Sequence, residues 1–175
     1  MNIENKAVLI TGASRGVGRA LVNEALRRGA KRVYPGTRGA LTIADERAIP
    51  LTLDVTNASQ IEQAACEVNT LDVLINNAGI ALYDDLSNID VIEQHLAVNL
   101  FGSLKMSHAF LPALKRSRGA IVNTLSLMAL APLPLTPAYA ISKAAAFNMT
   151  QSLRALLAGQ ALWSMACSSV PPTPI

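Results

Sequence analysis

Residues 7–18, AVLITGASRGVG, constrain the fold of this chain more than any other stretch. An apolar run leads directly into glycines spaced Gly-x-x-x-Gly-x-Gly, and a helical pattern follows. Gly12, Gly16 and Gly18 stand where a strand must reverse and where bare backbone can approach a phosphate group. Because the helix begins at the last glycines, its free amide groups and positive dipole end face the turn. The stretch indicates a nucleotide phosphate site, although this spacing alone is equally compatible with a plain glycine-rich turn.

Strand-like and helix-like patterns alternate along the rest of the chain. Strands are predicted at 7–11, 32–36, 49–55, 71–76 and 120–125, and helices around 17–28, 61–68, 91–115 and 139–158. This alternation predicts an α/β fold in which a parallel sheet is covered by helices on both faces. Residues 1–160 are predicted to form one domain. The segment 161–175 has one short strand pattern at 162–167 and then many prolines, so we expect an atypical, irregular tail.

Charge and hydropathy exclude several classes of protein. The net charge is +3, from 15 basic and 12 acidic residues, and the basic residues are spread along the chain, which does not favour nucleic-acid binding. The N-terminus lacks a basic segment followed by a long apolar core, and prolines interrupt the longest apolar run. We therefore expect a cytoplasmic protein that does not bind a membrane. Its cysteines and histidines have no ligand spacing, so no metal site is predicted.

Polar residues at the carboxyl ends of the second and third strands are candidates for ligand contacts, because ligands of open parallel sheets bind there. The second strand ends in Thr37 and Arg38, without the acidic residue that would bind a ribose 2′-hydroxyl. Arg38 and Arg15 either flank a ribose 2′-phosphate or are solvated surface arginines. Asp54 and Val55 end the third strand, where the carboxylate either accepts a hydrogen bond from adenine or caps the next helix.

The ends of the fourth and fifth strands carry the remaining candidates. Asn76-Asn77-Ala78-Gly79 is a small, amide-rich set that suits a backbone laid against a flat ligand. Ser126 follows the fifth strand, and Tyr139 and Lys143 share a helix face four residues apart. An ammonium group near a tyrosine lowers its pKa and makes it a usable general acid or base. Taken singly, Ser126 has the alternative of a turn residue, Tyr139 of a half-buried aromatic and Lys143 of a solvated lysine on a helix face.

Together these residues resemble the short-chain dehydrogenase/reductase family. Thr11-Gly12-Ala13-Ser14-Arg15-Gly16-Val17-Gly18 is similar to the family's cofactor turn, and Asn76-Asn77-Ala78-Gly79 to its fourth-strand motif. Ser126 with Tyr139-x-x-Ser142-Lys143 is similar to its catalytic set, and Asn99 matches the fourth catalytic residue. The resemblance covers about 6–160. It implies a Rossmann-like, doubly wound sheet in three α/β/α layers, a nicotinamide cofactor, and hydride transfer between an alcohol and a carbonyl.

The resemblance also implies a role for each matched residue. Tyr139 is the general acid/base, Ser126 holds and polarises the substrate oxygen, and Asn99 anchors a water of the proton relay. Lys143 holds the nicotinamide ribose and lowers the pKa of Tyr139. Thr37 and Arg38, with Arg15, look like the variant that prefers NADP(H) over NAD(H). The implied cofactor contacts are Gly12, Ser14, Arg15, Gly16, Val17, Gly18, Thr37, Arg38, Asp54, Val55, Asn77, Ala78, Gly79, Tyr139 and Lys143.

Length is the main departure from the family. The chain is about a third shorter than the usual member, and no Pro-Gly-Pro-like loop, substrate-loop helices or last strand is visible in the sequence. Read one nucleotide earlier, the codons of 161–175 can encode a valine strand followed by Gly-Pro-x-Asp-Thr, which the family should have there. We therefore hypothesise a C-terminally truncated chain, frameshifted after about Gln160.

Two functions follow as expectations. The first is an NADP(H)-dependent oxidoreductase acting on an apolar carbonyl or alcohol, assembled as a homodimer or homotetramer through the segments 91–115 and 139–158. The second is a truncated, catalytically weak remnant that binds nucleotide without turnover.

Overall fold

The computed structural model describes residues 2–158 and the backbone of residues 163–169. Six parallel strands are arranged in the order β3-β2-β1-β4-β5-β6, and this order reverses between β1 and β4. The predicted Rossmann-like, doubly wound sheet is confirmed, and the reversal opens a crevice at the carboxyl ends of the strands. The elements are β1 Ala7–Thr11, α1 Gly16–Arg27, β2 Arg32–Thr37, β3 Leu51–Thr52, α2 Ala58–Glu67, β4 Val73–Asn76, α3 Ile89–His95, a π-helical segment Leu96–Gly102, α4 Ser103–Ser117, β5 Ala120–Ser126, a 3₁₀ turn Leu127–Ala129, α5 Pro137–Leu157 and β6 Trp163–Ser169.

The core forms on both faces of the sheet because side chains alternate along each strand. On one face Val8 and Ile10 of β1 pack with Val22 and Leu26 of α1. On the other face Leu9 joins a cluster that includes residues of α2, α4 and α5. Helices therefore cover both faces, as the three-layer prediction required.

The second and third strands differ from their predicted bounds. β2 runs through Pro35 to Thr37, while β3 has only two residues instead of the predicted 49–55. On the side of β2 that faces β3, the amide of Val33 donates to the Arg47 carbonyl, and the carbonyl of Thr37 accepts from the amide of Leu53. Pro35 lies between Val33 and Thr37. A residue without an amide hydrogen is tolerated in β2 because the pairing with β3 is interrupted there.

The predicted helix 91–115 is three consecutive segments. α3 passes into the π-helical segment Leu96–Gly102, which continues into α4. Segments of π-helix are rare and often mark functional sites. Among the described residues, no helix is long and apolar enough to cross a membrane.

Of the predicted tail 161–175, the structure describes the backbone of residues 163–169. Within it, the backbone of β6 pairs in parallel with β5, from Ala120 opposite Trp163 to Ser126 opposite Ser169. The strand expected at 162–167 is therefore present at 163–169. The irregular course expected for the rest of the tail lies outside the described residues, and the frameshift hypothesis stays a prediction.

Candidate active site

The glycine turn after β1 is built from close backbone contacts. Gly12 and Gly16 have φ angles of +67° and +55°, which favour glycine. A Cβ at Gly12 would lie 2.8 Å from the Cα of Ala78, and a Cβ at Gly18 would lie 2.7 Å from Nδ2 of Asn77 and in collision with the Gly12 carbonyl oxygen. Two of the three glycines are therefore required for packing the turn against helix α1 and the end of β4.

The side of the turn that faces away from the sheet is open. A Cβ at Gly16 would meet no atom within 4 Å, and the side chains of Ser14, Arg15 and Val17 are exposed around it. Arg15 is the N-cap residue of α1 and its side chain makes no capping hydrogen bond, so it does not cover the first amides of the helix. A bare cradle in front of a helix N-terminus fits a phosphate group.

Thr11 connects this turn to the end of β4. Its buried hydroxyl accepts hydrogen bonds from the amides of Asn77, at 3.0 Å, and Ala78, at 2.9 Å. The Asn77 side-chain amide donates in return to the carbonyls of Thr11 and Gly12. Thr11 was not among the site residues predicted from the sequence, where its only signal is its place at the start of the glycine motif.

The ends of β2 and β3 hold four predicted residues. Thr37 is buried and its hydroxyl donates to the Gly39 carbonyl oxygen, while Arg38 is exposed. Asp54 accepts hydrogen bonds from the amide and hydroxyl of Thr56, at 2.8 and 2.7 Å. Helix α2 is capped by the Asn57 side chain, so the alternative that Asp54 caps this helix is wrong. The side chain of Val55 is buried, and a Cβ at Gly102 of the π-helical segment would press against it.

Asn99 lies in the π-helical segment and ties it to the chain after Gly79. Its Oδ1 accepts from the amide of Ile80 at 2.9 Å, and its Nδ2 donates to the Ile80 carbonyl and to the Ser142 hydroxyl of α5. A Cβ at Gly79 would lie 3.1 Å from Oδ1 of Asn99 and 3.7 Å from Nζ of Lys143. The glycine therefore lets the end of β4 pass close to both predicted catalytic side chains.

Ser126, Tyr139 and Lys143 come together at the carboxyl end of β5. The hydroxyl of Ser126 accepts from the amide of Met128 at 3.2 Å, and it lies close enough to the Tyr139 phenol to act on the pKa of that group. Nζ of Lys143 lies 5.7 Å from the centre of the Tyr139 ring and donates to the Thr124 carbonyl at 2.8 Å. All three side chains are buried, so the alternative of a solvated lysine is wrong.

A comparison with family models decides the family. The model for the short chain dehydrogenase family matches residues 6–174. The chain belongs to the short-chain dehydrogenase family.

Individual relatives agree with this assignment. Over 159 residues, 82% of this chain and 42% of the relative, the chain is 33% identical to estradiol 17-beta-dehydrogenase 2 of Mus musculus. Over 172 residues, 90% and 60% of the two chains, it is 35% identical to the ketoacyl reductase HetN of a Nostoc species. The chain spans about half the length of the curated relatives it matches.

Two solved structures extend the agreement to the fold. A short-chain dehydrogenase from Burkholderia cenocepacia, crystallised in complex with NADP, is 38% identical, with a TM-score of 0.91 over 95% of this chain and 72% of that chain. A short-chain dehydrogenase from Streptomyces avermitilis is 26% identical, with a TM-score of 0.88 over 94% and 65% of the two chains.

Burial dominates the electrostatics of this short-chain dehydrogenase site. Desolvation raises the pKa of Tyr139, and the hydrogen bond with Ser126 offsets this only in part. Desolvation also lowers the pKa of Lys143 to about 8. We expected Lys143 to lower the pKa of Tyr139, and this is wrong for the structure described here, because the ammonium group is directed to Thr124 rather than to the phenol oxygen.

The short-chain dehydrogenase site also has an acidic group near the predicted adenine position. Desolvation is the largest influence on Asp54 and by itself raises its pKa. The hydrogen bonds from Thr56 and the charge of Arg38 outweigh it, so the net pKa of Asp54 is lowered. Asp54 is therefore a carboxylate at neutral pH and an acceptor only.

His95 is a further residue of the site that the sequence did not identify as functional. Its Nδ1 lies 2.7 Å from the Val91 carbonyl and must donate, so Nε2 accepts from the amide of Leu82 at 3.0 Å. The fully buried ring meets Tyr139 edge-on, with centroids 6.3 Å apart. Among the described residues no group of three or more His, Cys, Asp or Glu side chains is arranged to hold a metal ion.

Proposed function

We propose that the chain is an NADP(H)-dependent oxidoreductase that interconverts an alcohol and a carbonyl. The observation that carries the proposal is the grouping of Ser126, Tyr139 and Lys143, all buried at the carboxyl end of β5, on the same edge of the sheet as the glycine turn. The carboxyl edge of the sheet then carries a proton donor, a group that holds the substrate oxygen and a phosphate cradle. The bare space in front of α1 supports the phosphate part of this proposal.

Each residue of this edge has a proposed role. The nicotinamide cofactor, when bound, supplies the hydride for reduction or accepts it in oxidation. In reduction, Tyr139 donates its phenol proton to the carbonyl oxygen, which the Ser126 hydroxyl holds in place. The raised pKa of Tyr139 keeps the phenol protonated at neutral pH, as this direction requires. Asn99 holds the backbone at Ile80, next to Gly79, and its hydrogen bond to Ser142 fixes α5. Lys143 binds the ribose hydroxyls.

The cofactor would lie along the carboxyl edge of the sheet. Its pyrophosphate would contact the turn of Gly12, Ser14, Gly16, Val17 and Gly18, and its ribose the backbone of 77–79. The adenine would lie near Asp54 and Val55, where the Asp54 carboxylate is an acceptor for the amino group.

A preference for NADP(H) rests on charge. Arg38 follows β2 and Arg15 precedes α1, and both side chains are exposed. Guanidinium groups bind a ribose 2′-phosphate well, and the sequence has no acidic residue at the position that would bind a 2′-hydroxyl. The NADP complex of the Burkholderia relative supports the same choice.

An apolar substrate is proposed from the surface next to Ser126 and Tyr139. Leucines of the segment after β5 are unusually exposed, with Leu130 at 72% and Leu135 at 66%. Tyr83, in the segment after β4, is 70% exposed. Side chains of this kind are favourable walls for a bulky apolar carbonyl compound, since burying them on binding removes apolar surface from water. The names of the relatives, an estradiol dehydrogenase and a ketoacyl reductase, are consistent with this class.

The first experiment is a fluorescence titration of the recombinant chain with NADPH and with NADH. A carbonyl panel then follows, containing a steroid ketone, a β-ketoacyl thioester, an aromatic aldehyde and a small polar ketone, with NADPH oxidation as the readout. Tighter binding of NADPH and turnover of the apolar ketones are expected. Binding with no turnover across the panel would instead identify a chain that holds nucleotide without catalysis, and absence of binding would contradict the whole proposal.

A homodimer or homotetramer is also proposed. Phe101 of the π-helical segment and Ile141 and Leu156 of α5 expose apolar side chains on the two predicted interface segments. Light scattering after size exclusion tests this proposal, and a monomer at micromolar concentration would contradict it.

A further inference from the structure

The segment after β4 is attached to the catalytic elements at every second residue. We name residues 80–86 the strap. The Ile80 amide and carbonyl bind Asn99, the Leu82 amide binds His95, and Asp84 binds the start of α5. Between these attachments the side chains of Ala81, Tyr83 and Asp85 are exposed. The strap is therefore an extended segment whose alternate residues are fixed to the helices behind it.

The attachment at Asp84 is the most unusual of the three. Its Oδ1 and Oδ2 each lie 3.2 Å from the amide of Ala138, and its own amide donates to the Leu135 carbonyl. Ala138 is the residue before Tyr139. A carboxylate 54 residues earlier in the chain therefore holds the first turn of the helix that carries the proposed proton donor.

The local N-cap of α5 does not do this. Thr136 occupies the cap position without a side-chain capping hydrogen bond, and its hydroxyl is directed to the sulfur of Met128. Pro137, the first helical residue, has no amide hydrogen. Among the described residues, Asp84 is thus the side chain that satisfies an amide in the first turn of α5, and its charge favours the helix N-terminus.

The strap is also held in an unfavourable conformation beside Asp84. Leu86 has a φ of +67°, which is rare for a residue with a Cβ, and its amide donates to Oδ1 of Asp84. The same carboxylate therefore fixes both the turn of the strap and the start of α5. The exposed side chains of Leu82, Tyr83 and Leu86 lie on the segment that this carboxylate attaches to the start of α5.

We propose that Asp84 is a positioning residue, which couples the substrate-facing strap to the helix of the catalytic tyrosine and so determines how well a bulky substrate is held. This inference rests on the proposed function. Without Asp84, the strap and Tyr139 would no longer move as one unit, and the reacting oxygen would be held less accurately. The effect falls on substrate binding and orientation, whereas the glycine turn and its nucleotide are unaffected.

The test compares Asp84→Ala and Asp84→Asn with Asp90→Ala. Asp90 is an exposed carboxylate in the first turn of α3, outside the strap. With the apolar ketone that the unmodified chain reduces fastest, Asp84→Ala should lower kcat/KM by about tenfold or more, chiefly through KM, with NADPH affinity within about twofold. Asp84→Asn, which still accepts a hydrogen bond, should recover part of this loss. Asp90→Ala should match the unmodified chain.

Hydrogen exchange separates this inference from the proposed function. Asp84→Ala should increase amide exchange in both 80–88 and 136–143, while Asp90→Ala should leave 136–143 unchanged. Unchanged exchange at 136–143 in Asp84→Ala would overturn the inference. A loss of NADPH affinity as large as the loss of kcat/KM would also overturn it. If the unmodified chain reduces no carbonyl, the proposed function fails, and the exchange result alone decides the role of Asp84.

Discussion

The Lys143 ammonium nitrogen lies 5.7 Å from the centre of the Tyr139 ring and gives a hydrogen bond to the Thr124 carbonyl. Burial of this cation lowers its pKa from 10.5 to about 8. The folded chain therefore releases a proton from Lys143 near pH 8, while the unfolded chain retains it until about pH 10.5. Between these values the unfolded chain binds more protons, so the free energy of unfolding rises with pH.

Urea denaturation at pH 7.5 and 9.5 checks this prediction. From the linkage relation, the stability of the unmodified chain relative to Lys143→Met should rise by about 2 kcal/mol between the two pH values. This range stays below the region where Tyr139, with its raised pKa, acts in the opposite direction. Lys105→Met, at an exposed position of α4, serves as the control and should show no such change.

Removal of the Tyr139 hydroxyl should lower kcat strongly and leave the affinity for NADPH nearly unchanged. Tyr139→Phe keeps the ring contact with His95 but has no proton to donate. Loss of a general acid lowers kcat by about a hundredfold to ten-thousandfold. We expect a fall of this size in steady-state NADPH oxidation, with NADPH affinity within about twofold. Tyr34→Phe, in β2, is the matched control, and residual turnover above about a tenth in Tyr139→Phe would contradict the assignment.

Arg38 should determine the choice between the two nicotinamide cofactors. Arg38→Asp removes a cation from the proposed 2′-phosphate site and introduces a carboxylate that would repel the phosphate. We expect a loss of NADPH affinity of about tenfold or more and little change for NADH, measured by fluorescence titration at one salt concentration. Arg116→Asp reverses the same charge at an exposed position near the end of α4 and should leave both affinities unchanged. Equal weakening of both cofactors by Arg38→Asp would exclude a 2′-phosphate contact.

The sequence predicted the elements whose signal is local. Strand β1 was predicted with the bounds the structure has, because an apolar run ends at a glycine motif. β3 was predicted five residues too long, because an apolar pattern does not show how many of its residues pair with the neighbouring strand. The π-helical segment around Asn99 was predicted as ordinary helix, because the 3.6-residue period of side chains does not reveal where the hydrogen bonding shifts.

The contacts that the sequence left open are long-range. Ser126, Tyr139 and Lys143 carry a spacing signal, and the structure brings them together. Asp84 lies 54 residues from Ala138, and nothing in either segment indicates the other. The direction of the Tyr139 pKa was also beyond the sequence, because it depends on burial and on where the Lys143 ammonium group is directed.

Gly18 should be indispensable for packing the turn. Gly18→Ala places a Cβ against the Gly12 carbonyl and 2.7 Å from Nδ2 of Asn77, both held by hydrogen bonds. Overpacking of this kind costs about 1–3 kcal/mol, and the shifted turn should lose NADPH affinity as well. Gly39→Ala, where a Cβ meets no atom within 4 Å and no positive φ is needed, is the control. Equal thermal stability and affinity in the two variants would show that the turn tolerates the extra carbon.

The Thr11 hydroxyl should stabilise the whole carboxyl edge of the sheet. Thr11→Val preserves the shape of the buried side chain but leaves the amides of Asn77 and Ala78 without their acceptor. Two unpaired amide groups should cost about 2 kcal/mol or more, measured by urea denaturation. NADPH affinity should also fall, because the glycine turn and the end of β4 lose their connection. Thr52→Val, at an exposed position of β3, is the matched control. Equal stability of the two variants would mean that the Thr11 hydroxyl does not connect the glycine turn to the end of β4.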